Sequence, residues 1–281
     1  MNKLKNPKKS DIAVLGPKNT FSEMAADKYD KKKNKYYTTT IDEVFELVEK
    51  GRIEKGIVPI ENKLEGTIRE TLDNLFEKNV RISEEINIPI NHAFIILPRS
   101  KASDIKTIYS HPQALKQCKK FLKKNFPKAT LLSTASTAFA IEEIITKNDK
   151  SCAAIAPKIA AEKEKLKILK RNIEDGRNNL TAFVVVQKGR PTLKNVQKNC
   201  TKTSIAFHFD KDSPGSLFTI FKDFADAKIN MTKIESRPTQ ARFGDYIFYL
   251  DFDGCISEPK VAKILKKVEG KVAKMKVLGS Y

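Results

Sequence analysis

The stretch IAVLGPKNTFSEM, residues 12–24, sets the pattern for the first part of the chain. Ile12–Leu15 is a short apolar run typical of a buried strand, and Gly16-Pro17 makes a turn behind it. Thr20 is a suitable N-cap for a helix that begins near Phe21. A strand that leads through a tight turn into a helix is the repeating unit of sheets covered by helices.

This unit recurs along the chain, and its recurrence predicts an α/β fold with parallel sheets. Further predicted strands alternate with predicted helices and lie at 36–39, 53–60, 81–97, 105–109, 131–132 and 152–155. The crossover at 81–97, followed by a return strand at Leu180–Val186, predicts two lobes joined by a hinge. Asn62, Ser110 and Ser133 each follow the end of a predicted strand, which is the edge where open α/β sheets bind ligands.

A second unit is predicted at the C-terminus. Residues 187–202 contain Gly189, Pro191 and two asparagines and are typical of a linker. Beyond them the predicted elements between Ser204 and Leu278 follow the order strand, helix, strand, strand, helix, strand. This βαββαβ order is the ferredoxin-like split unit.

Composition excludes several classes of protein. With 281 residues, 40% hydrophobic and 31% charged, the chain can bury a sizeable core. Its apolar runs are far shorter than the roughly 18 residues that a membrane-spanning helix needs. The lysine-rich stretch Met1–Asp11 has no apolar segment behind it, so we expect no secretory signal and a cytoplasmic protein.

The formal net charge is +19, yet the basic residues are mostly scattered lysines without interleaved aromatics. Solvated lysine faces explain this pattern better than nucleic-acid binding does. A positive field of this kind would still attract a small polyanionic substrate.

Cysteine and histidine spacing argues against disulfide and metal chemistry. The four cysteines show no pairing pattern, which favours a reducing compartment, and the three histidines lack metal-ligand spacing. These residues are Cys118, Cys152, Cys200 and Cys255, and His92, His111 and His208.

Taken singly, the short motifs of the chain are weak, but their order resembles one family, prephenate dehydratase. The motifs are GPxxTFSE at 16–23, PxEN at 59–62 with Gly66, SHPQAL at 110–115 with Cys118, STA at 133–135 and NxTxF at 179–183. The C-terminal unit resembles the ACT domain that is fused to that enzyme. It carries PGSL at 214–217, ESRP at 235–238, Tyr246 and DFxG at 251–254.

The resemblance implies a two-lobed, periplasmic-binding-protein-like catalytic unit at 11–188, whose second lobe spans about 93–178, and an ACT regulatory domain at 203–281. It implies a carbon–oxygen lyase of L-phenylalanine biosynthesis, which converts prephenate to phenylpyruvate, water and carbon dioxide. Feedback inhibition by L-phenylalanine and a homodimer or homotetramer are also implied. No metal, no cofactor, no nucleic-acid partner and no membrane partner are expected.

Residue roles follow from the same resemblance. Thr181 is the expected catalytic residue, acting on the leaving hydroxyl, and His111 is expected to be a structural hydrogen-bonding group. The expected substrate-binding residues are Thr20, Asn62, Ser110, Gln113, Ser133, Thr134 and Phe183. The expected phenylalanine-binding residues are Gly215, Ser216, Leu217, Glu235, Ser236, Arg237 and Pro238.

Two positions depart from the family pattern. The family's T-R-F is Thr181-Ala182-Phe183 in this chain, and its E-N-S is Glu61-Asn62-Lys63. An arginine at position 182 could grip a substrate carboxylate, or it could serve the other face of the strand, since side chains alternate. Lys63 is a candidate replacement cation. An arogenate dehydratase and a catalytically weakened phenylalanine sensor therefore stay open as alternatives.

Overall fold

The computed structural model describes residues 6–176, 178–210, 213–239 and 245–281. The described helices are α1 Phe21–Asp30, α2 Ile41–Glu49, α3 Arg69–Glu77, α4 Pro112–Gln117, α5 Lys119–Asn125, α6 Thr137–Lys147, α7 Lys158–Lys163, α8 Ser216–Asp226 and α9 Pro259–Glu269. The described strands are β1 Ile12–Leu15, β2 Lys35–Thr38, β3 Lys55–Asn62, β4 Gly66–Thr67, β5 Val80–Pro89, β6 Ala93–Ile96, β7 Thr107–Ser110, β8 Thr130–Ser133, β9 Cys152–Ala156, β10 Lys167–Arg171, β11 Leu180–Lys188, β12 Lys202–His208, β13 Met231–Pro238, β14 Tyr246–Asp253 and β15 Lys274–Ser280.

The first lobe consists of β1–β5, β11 and helices α1–α3. β1 pairs in parallel with β2 and β3, and β11 runs antiparallel between β3 and β5. The strands β1, β3 and β11 are buried on both faces, which is why they consist of near-continuous apolar runs. The chain leaves this lobe after β5 and returns to its middle as β11.

The second lobe lies between these two crossings. Its sheet has the strand order β10-β6-β9-β7-β8, in which β7 pairs in parallel with β8 and β9. Helices α4–α7 cover this sheet. The α/β fold with two lobes, predicted from the alternating pattern, is therefore confirmed.

The C-terminal domain has the strand order β13-β14-β12-β15 with antiparallel pairing throughout. Helices α8 and α9 cover one face, where Phe207, Phe224 and Phe252 form the centre of the core. This order and pairing confirm the ferredoxin-like prediction. Strand β13 forms the outer edge of the sheet.

One continuous sheet joins the C-terminal domain to the first lobe. β15 lies in parallel beside β5, with Gly279 opposite Ile82. A Cβ atom on Gly279 would lie 2.6 Å from the Cβ of Ile82, so the close approach of the two strands requires glycine. Tyr249 and Leu278 also join the core of the first lobe. The two units thus share buried apolar surface.

The expectation of unpaired cysteines is wrong for one pair. Cys200 and Cys255 form a disulfide, with their Cα atoms 5.4 Å apart. Antiparallel pairing of Lys202 with Asp253 brings the two cysteines together just beyond the strand ends. The pairing depends on strand register, so spacing along the sequence did not predict it. Cys118 and Cys152 are buried and unpaired.

No helix within the described ranges has both the length and the apolar character to cross a membrane.

Candidate active site

A cavity of about 330 Å³ lies between the two lobes. The first lobe contributes the end of β3 and the starts of β11 and α1, and the second lobe contributes the starts of α4 and α6. The polar residues lining this interlobe cavity are Thr20, Ser22, Asn62, His92, His111, Gln113, Gln117, Ser136, Thr137 and Thr181. Phe21, Pro59, Ile90 and Phe183 supply apolar walls.

Asn62 and Thr181 form a buried hydrogen-bonded pair in the first-lobe wall. The two residues are directly opposite each other in the antiparallel pairing of β3 and β11. The side-chain Nδ2 of Asn62 donates to Oγ1 of Thr181 over 2.8 Å. Sheet register thus brings together two residues that are 119 positions apart in the chain.

The local turn fixes the orientation of the Asn62 amide. Its Oδ1 accepts hydrogen bonds from the backbone N–H groups of Leu64 at 3.0 Å and Glu65 at 3.2 Å. The NH₂ end must therefore face Thr181, whose oxygen acts as the acceptor. A threonine hydroxyl that accepts one hydrogen bond keeps its own proton available for donation. Thr181 is consequently arranged as a donor toward the cavity.

Two helices, one from each lobe, begin at the cavity. Phe21 and Ser22 open α1, and Thr137 opens α6 behind its N-cap, Ser136. Oγ of Ser136 accepts from the N–H of Phe139 at 3.1 Å. The first N–H groups of a helix lack partners within the helix, and the helix dipole favours negative charge there. The cavity is therefore suited to an anion with a charge on each side.

His92 and Gln117 are two cavity residues that sequence reasoning missed. Nε2 of His92 lies 2.9 Å from Oε1 of Gln117, and the ring packs edge-on against Phe21. Burial lowers the pKa of His92, against smaller opposing effects of Gln117 and Glu174, so the ring is neutral near pH 7. Gln117 lies four residues after Gln113 on a helical stretch, and this spacing was the signal that could have found it.

Of the predicted substrate-binding residues, Thr20, Asn62, Gln113 and Phe183 line the cavity together with Thr181. The other three do not line it. Oγ of the buried Ser110 donates to the carbonyl of Ile155 at 2.6 Å, and Oγ1 of Thr134 donates to the carbonyl of Ser136 at 2.8 Å. Ser133 lies exposed at the end of β8.

His111 caps α4 and lines the cavity. Its Nδ1 accepts from the N–H of Gln113 at 3.3 Å. Burial lowers the pKa of the His111 ring, although the charge of Glu65 acts in the opposite direction. A ring nitrogen that accepts from backbone is the structural role expected from the sequence.

The positions that depart from the family pattern lie outside the cavity. Ala182 pairs with Glu61 across the sheet, and it is the flanking residues Thr181 and Phe183 that line the cavity. Lys63 is exposed, and its backbone N–H donates to the carbonyl of Leu180. Among the described residues that line the cavity there is neither lysine nor arginine. The geometry thus gives no support to Lys63 as a carboxylate anchor.

Two polar contacts connect the lobes beside the cavity. Nζ of Lys163, on α7, donates to Oε1 of Glu23, on α1, at 2.8 Å. Nearby, Nδ2 of Asn19 donates to Oε1 of Glu164 at 3.1 Å. Burial alone raises the pKa of Glu23, but hydrogen bonds from Lys163, Asn19 and Tyr37 and the charge of Lys163 outweigh burial and lower it.

The predicted phenylalanine-binding residues lie on two parts of the C-terminal domain, the start of α8 and strand β13. Gly215 is the N-cap of α8 with φ 89°, a conformation that favours glycine. On β13, Ser236 and Pro238 are exposed, whereas Arg237 is directed toward the first lobe, where it pairs with Asp73 at 2.8 Å. The neighbouring residues 211–212 and 240–244 lie outside the described part of the chain.

The fold and the site define a class of protein: a two-lobed α/β unit with a polar cleft, followed by an ACT-type domain. The family profile described as prephenate dehydratase matches residues 12–191, and the ACT domain profile matches residues 211–270.

Individual relatives agree with these matches. A prephenate dehydratase of Methanocaldococcus jannaschii is 40% identical over 94% of this chain and 95% of its own length. The crystal structure of a prephenate dehydratase from Arthrobacter aurescens in complex with L-Phe has a TM-score of 0.88 at 30% identity, covering 96% of this chain and 89% of that chain. GqqA, described as a novel type of quorum quenching acylase, has a TM-score of 0.87 at 26% identity, covering 96% and 97%. The chain belongs to the prephenate dehydratase family.

Proposed function

We propose that this chain is a prephenate dehydratase, a lyase that converts prephenate to phenylpyruvate, water and carbon dioxide. The hydrogen-bonded pair of Asn62 and Thr181 in the interlobe cavity carries the proposal. In this reaction the ring–carboxylate bond breaks, its electron pair enters the ring, and the ring hydroxyl departs with a proton as water. Because aromatisation drives the step, no cofactor is required.

Thr181 is proposed as the donor to the leaving hydroxyl. Asn62 occupies the lone-pair side of Oγ1, so the hydroxyl proton of Thr181 is directed at the substrate. A donor fixed in advance stabilises charge that develops on the departing oxygen, at no cost of reorganisation during the step. Gln113, Gln117 and His92 add hydrogen-bonding groups to the same cavity.

The two carboxylates of prephenate are proposed to bind at the starts of α1 and α6. These helix starts face the cavity from opposite lobes and supply backbone N–H groups. The net charge of +19 adds a general attraction for a dianion. Ser110 and Thr134, expected as binding residues, would then support the cavity from outside it, and the exposed Ser133 would not contact the substrate.

Thr181 is poorly arranged for a nucleophile, which argues against acylase chemistry in this chain. A nucleophilic hydroxyl needs an adjacent general base. Within the described residues, Oγ1 of Thr181 accepts a hydrogen bond from the side-chain NH₂ group of Asn62, and this amide group is a donor that cannot act as a base.

L-phenylalanine is proposed to inhibit by binding at the start of α8, at Gly215, Ser216 and Leu217, and at the exposed side of β13, at Ser236 and Pro238. Glu235 and Arg237, which were also expected to bind it, lie on the other face of β13, which is turned toward the first lobe. Gly215 leaves the backbone open for a carboxylate. The substitution Gly215→Val introduces strain, because valine disfavours the positive φ at this position, and it places a side chain over the backbone amides that open α8. Calorimetry should then show phenylalanine affinity lowered at least tenfold, and unchanged affinity would exclude this site.

A second copy of the chain is the proposed partner of the C-terminal domain, in a homodimer or homotetramer. β13 is an edge strand and carries the exposed Ile234. Tyr246, which pairs with Pro238 of β13, and Phe218 on α8 are also large exposed apolar residues. Edge strands with apolar surroundings pair readily with another copy. Ile234→Lys should shift the assembly toward monomers in sedimentation velocity.

We further propose domain limits of 11–188 and 203–281 and a cytoplasmic location.

The test is direct: purified protein is incubated with prephenate, and phenylpyruvate is followed by its absorbance in alkali, with and without L-phenylalanine. Turnover that falls on addition of phenylalanine is the expected result. Preference for arogenate would identify the related dehydratase, and binding of phenylalanine without turnover would identify a catalytically weakened sensor.

A further inference from the structure

Strand β13 of the C-terminal domain directs two cationic side chains at the first lobe. Nζ of Lys233 lies 2.5 Å from Oε2 of Glu61, and Nη1 of Arg237 lies 2.8 Å from Oδ1 of Asp73. The same Arg237 nitrogen donates to the backbone carbonyl of Arg69 at 2.6 Å. Side chains alternate along a strand, so residues 233 and 237 share one face, and the exposed Ser236 and Pro238 lie on the other.

These contacts fall at the two ends of one short segment. Glu61 precedes Asn62 directly, whereas Arg69 and Asp73 lie in α3. Between them the chain turns through β4, whose Thr67 pairs back with Glu61. The segment 61–73 therefore carries Asn62 and is held at both ends by β13.

We propose that Lys233 and Arg237 are positioning residues that set the place of Asn62 beside Thr181, and that phenylalanine bound at the exposed side of β13 acts on turnover through them. This inference rests on the proposed dehydratase function. Neither residue lines the interlobe cavity. A displacement of β13 would move Glu61 and α3 together and shift the Asn62 amide away from Oγ1 of Thr181.

The missing arginine of the family motif fits this arrangement. Ala182 lies across the sheet from Glu61, and directly opposite side chains in an antiparallel pair are close enough to interact. An arginine at position 182 would supply Glu61 with a cation from inside the first lobe. In this chain Lys233 supplies that cation from the regulatory domain, so the position of Glu61 depends on where that domain lies.

The experiment compares Lys233→Met with Lys222→Met. Lys222 pairs with Asp226 at 2.7 Å on α8, so the control removes one lysine and one ion pair from the same domain without touching the pair with Glu61. Lys233→Met should lower kcat at least threefold with KM within twofold, and raise the phenylalanine concentration for half-inhibition at least threefold. Lys222→Met should leave all three unchanged.

A second variant separates positioning from simple loss of domain contact. Adding Ala182→Arg to Lys233→Met should return kcat to within twofold of wild type while half-inhibition stays shifted, because the new cation cannot follow β13. Lys233→Arg alone should retain both properties. Failure of Ala182→Arg to restore kcat, or a Lys233→Met protein with the kinetics of Lys222→Met, overturns the proposal.

One readout does not depend on turnover. The N–H groups of Leu64 and Glu65 donate to Oδ1 of Asn62, so their hydrogen exchange reports directly on the placement of that side chain. Exchange at these two amides should be at least threefold faster in Lys233→Met than in Lys222→Met. If the wild-type protein does not convert prephenate, the proposed function is wrong. The positioning role is rejected separately, by equal exchange rates of these two amides in Lys233→Met and Lys222→Met.

Discussion

The two walls of the interlobe cavity are built in different ways. In the first lobe, strand pairing places Asn62 and Thr181 side by side, and both side chains face the cavity. In the second lobe, Ser110 at the end of β7 and Thr134 just after β8 bond to backbone carbonyls, and the helix start at Ser136 lines the cavity instead. Sheet register fixes side chains for chemistry, whereas helix starts offer backbone amides for binding. Changes at the Asn62–Thr181 pair of the first wall should therefore act on kcat, and changes at the helix start of the second wall should act on KM.

The largest effect is expected from Thr181→Val. The substitution keeps the shape of the side chain but removes the donor to the leaving hydroxyl, and we expect kcat to fall at least a hundredfold, about 2.7 kcal/mol in barrier height. Phenylpyruvate formation and thermal melting measure activity and folding separately. Retention of more than about a tenth of wild-type kcat, a loss under ~1.4 kcal/mol, would mean that Thr181 is not the key donor.

Asn62→Asp reverses the central hydrogen bond of the first wall. A carboxylate can only accept hydrogen bonds, so the hydroxyl of Thr181 would donate to it and would no longer be free to donate to the substrate. The carboxylate would still accept from the N–H groups of Leu64 and Glu65. We expect a loss of at least tenfold in kcat with an almost unchanged melting temperature. Activity should recover in part as pH falls and the introduced carboxyl gains a proton; a pH profile parallel to that of wild type would contradict this reading.

Ser136→Ala tests the second wall. It removes the cap of α6, a loss of about 1 kcal/mol in helix stability, and loosens the amides proposed to bind a carboxylate. We expect KM to rise three- to tenfold with kcat within twofold. Ser133→Ala, at an exposed hydroxyl outside the cavity, is the matched control and should behave as wild type. Equal KM values for the two variants would remove α6 from the binding site.

The smallest effect concerns the ion pair of Glu23 with Lys163, which joins the two lobes beside the cavity. Because the pKa of Glu23 is lowered in the folded protein, its pairing with Lys163 stabilises the fold fully above the ordinary glutamate pKa and is lost as pH falls through the lowered value. Glu23→Gln should cost about 1 kcal/mol near pH 7, and the difference from wild type should shrink in acid. Glu46→Gln, at an exposed pair within α2, should change stability by no more than about 0.5 kcal/mol.

Much of the fold could be predicted because hydrophobic period and turn residues are local signals. Ile12–Leu15, the turn at Gly16-Pro17 and the start of α1 at Phe21 agree with the structure. The junction between β15 and β5 gave no such signal, since Gly279 in an apolar run does not reveal that it meets Ile82, 197 positions earlier. The pairing of Cys200 with Cys255 was missed for the same reason.

The candidate site was predicted more reliably on the sheet side. Asn62 and Thr181 belong to strand motifs, and pairing of the strands brings them together. The motif at 133–135 directed attention to Ser133 and Thr134, yet the chain makes one further turn before α6, and Ser136 lines the cavity. His92 lies in the crossover between lobes, where no motif marks it, and only the folded arrangement places it beside Gln117.

The continuous sheet has a consequence for how this protein can be divided. β5 has β11 on one side and β15 on the other, and Tyr249 and Leu278 cover apolar residues of the first lobe. A chain cut within the linker would leave β5 as an open edge beside uncovered apolar surface, which is a template for aggregation. We therefore expect the isolated catalytic unit to be insoluble rather than merely unregulated. A related protein without the regulatory domain would need a different surface on β5 as well.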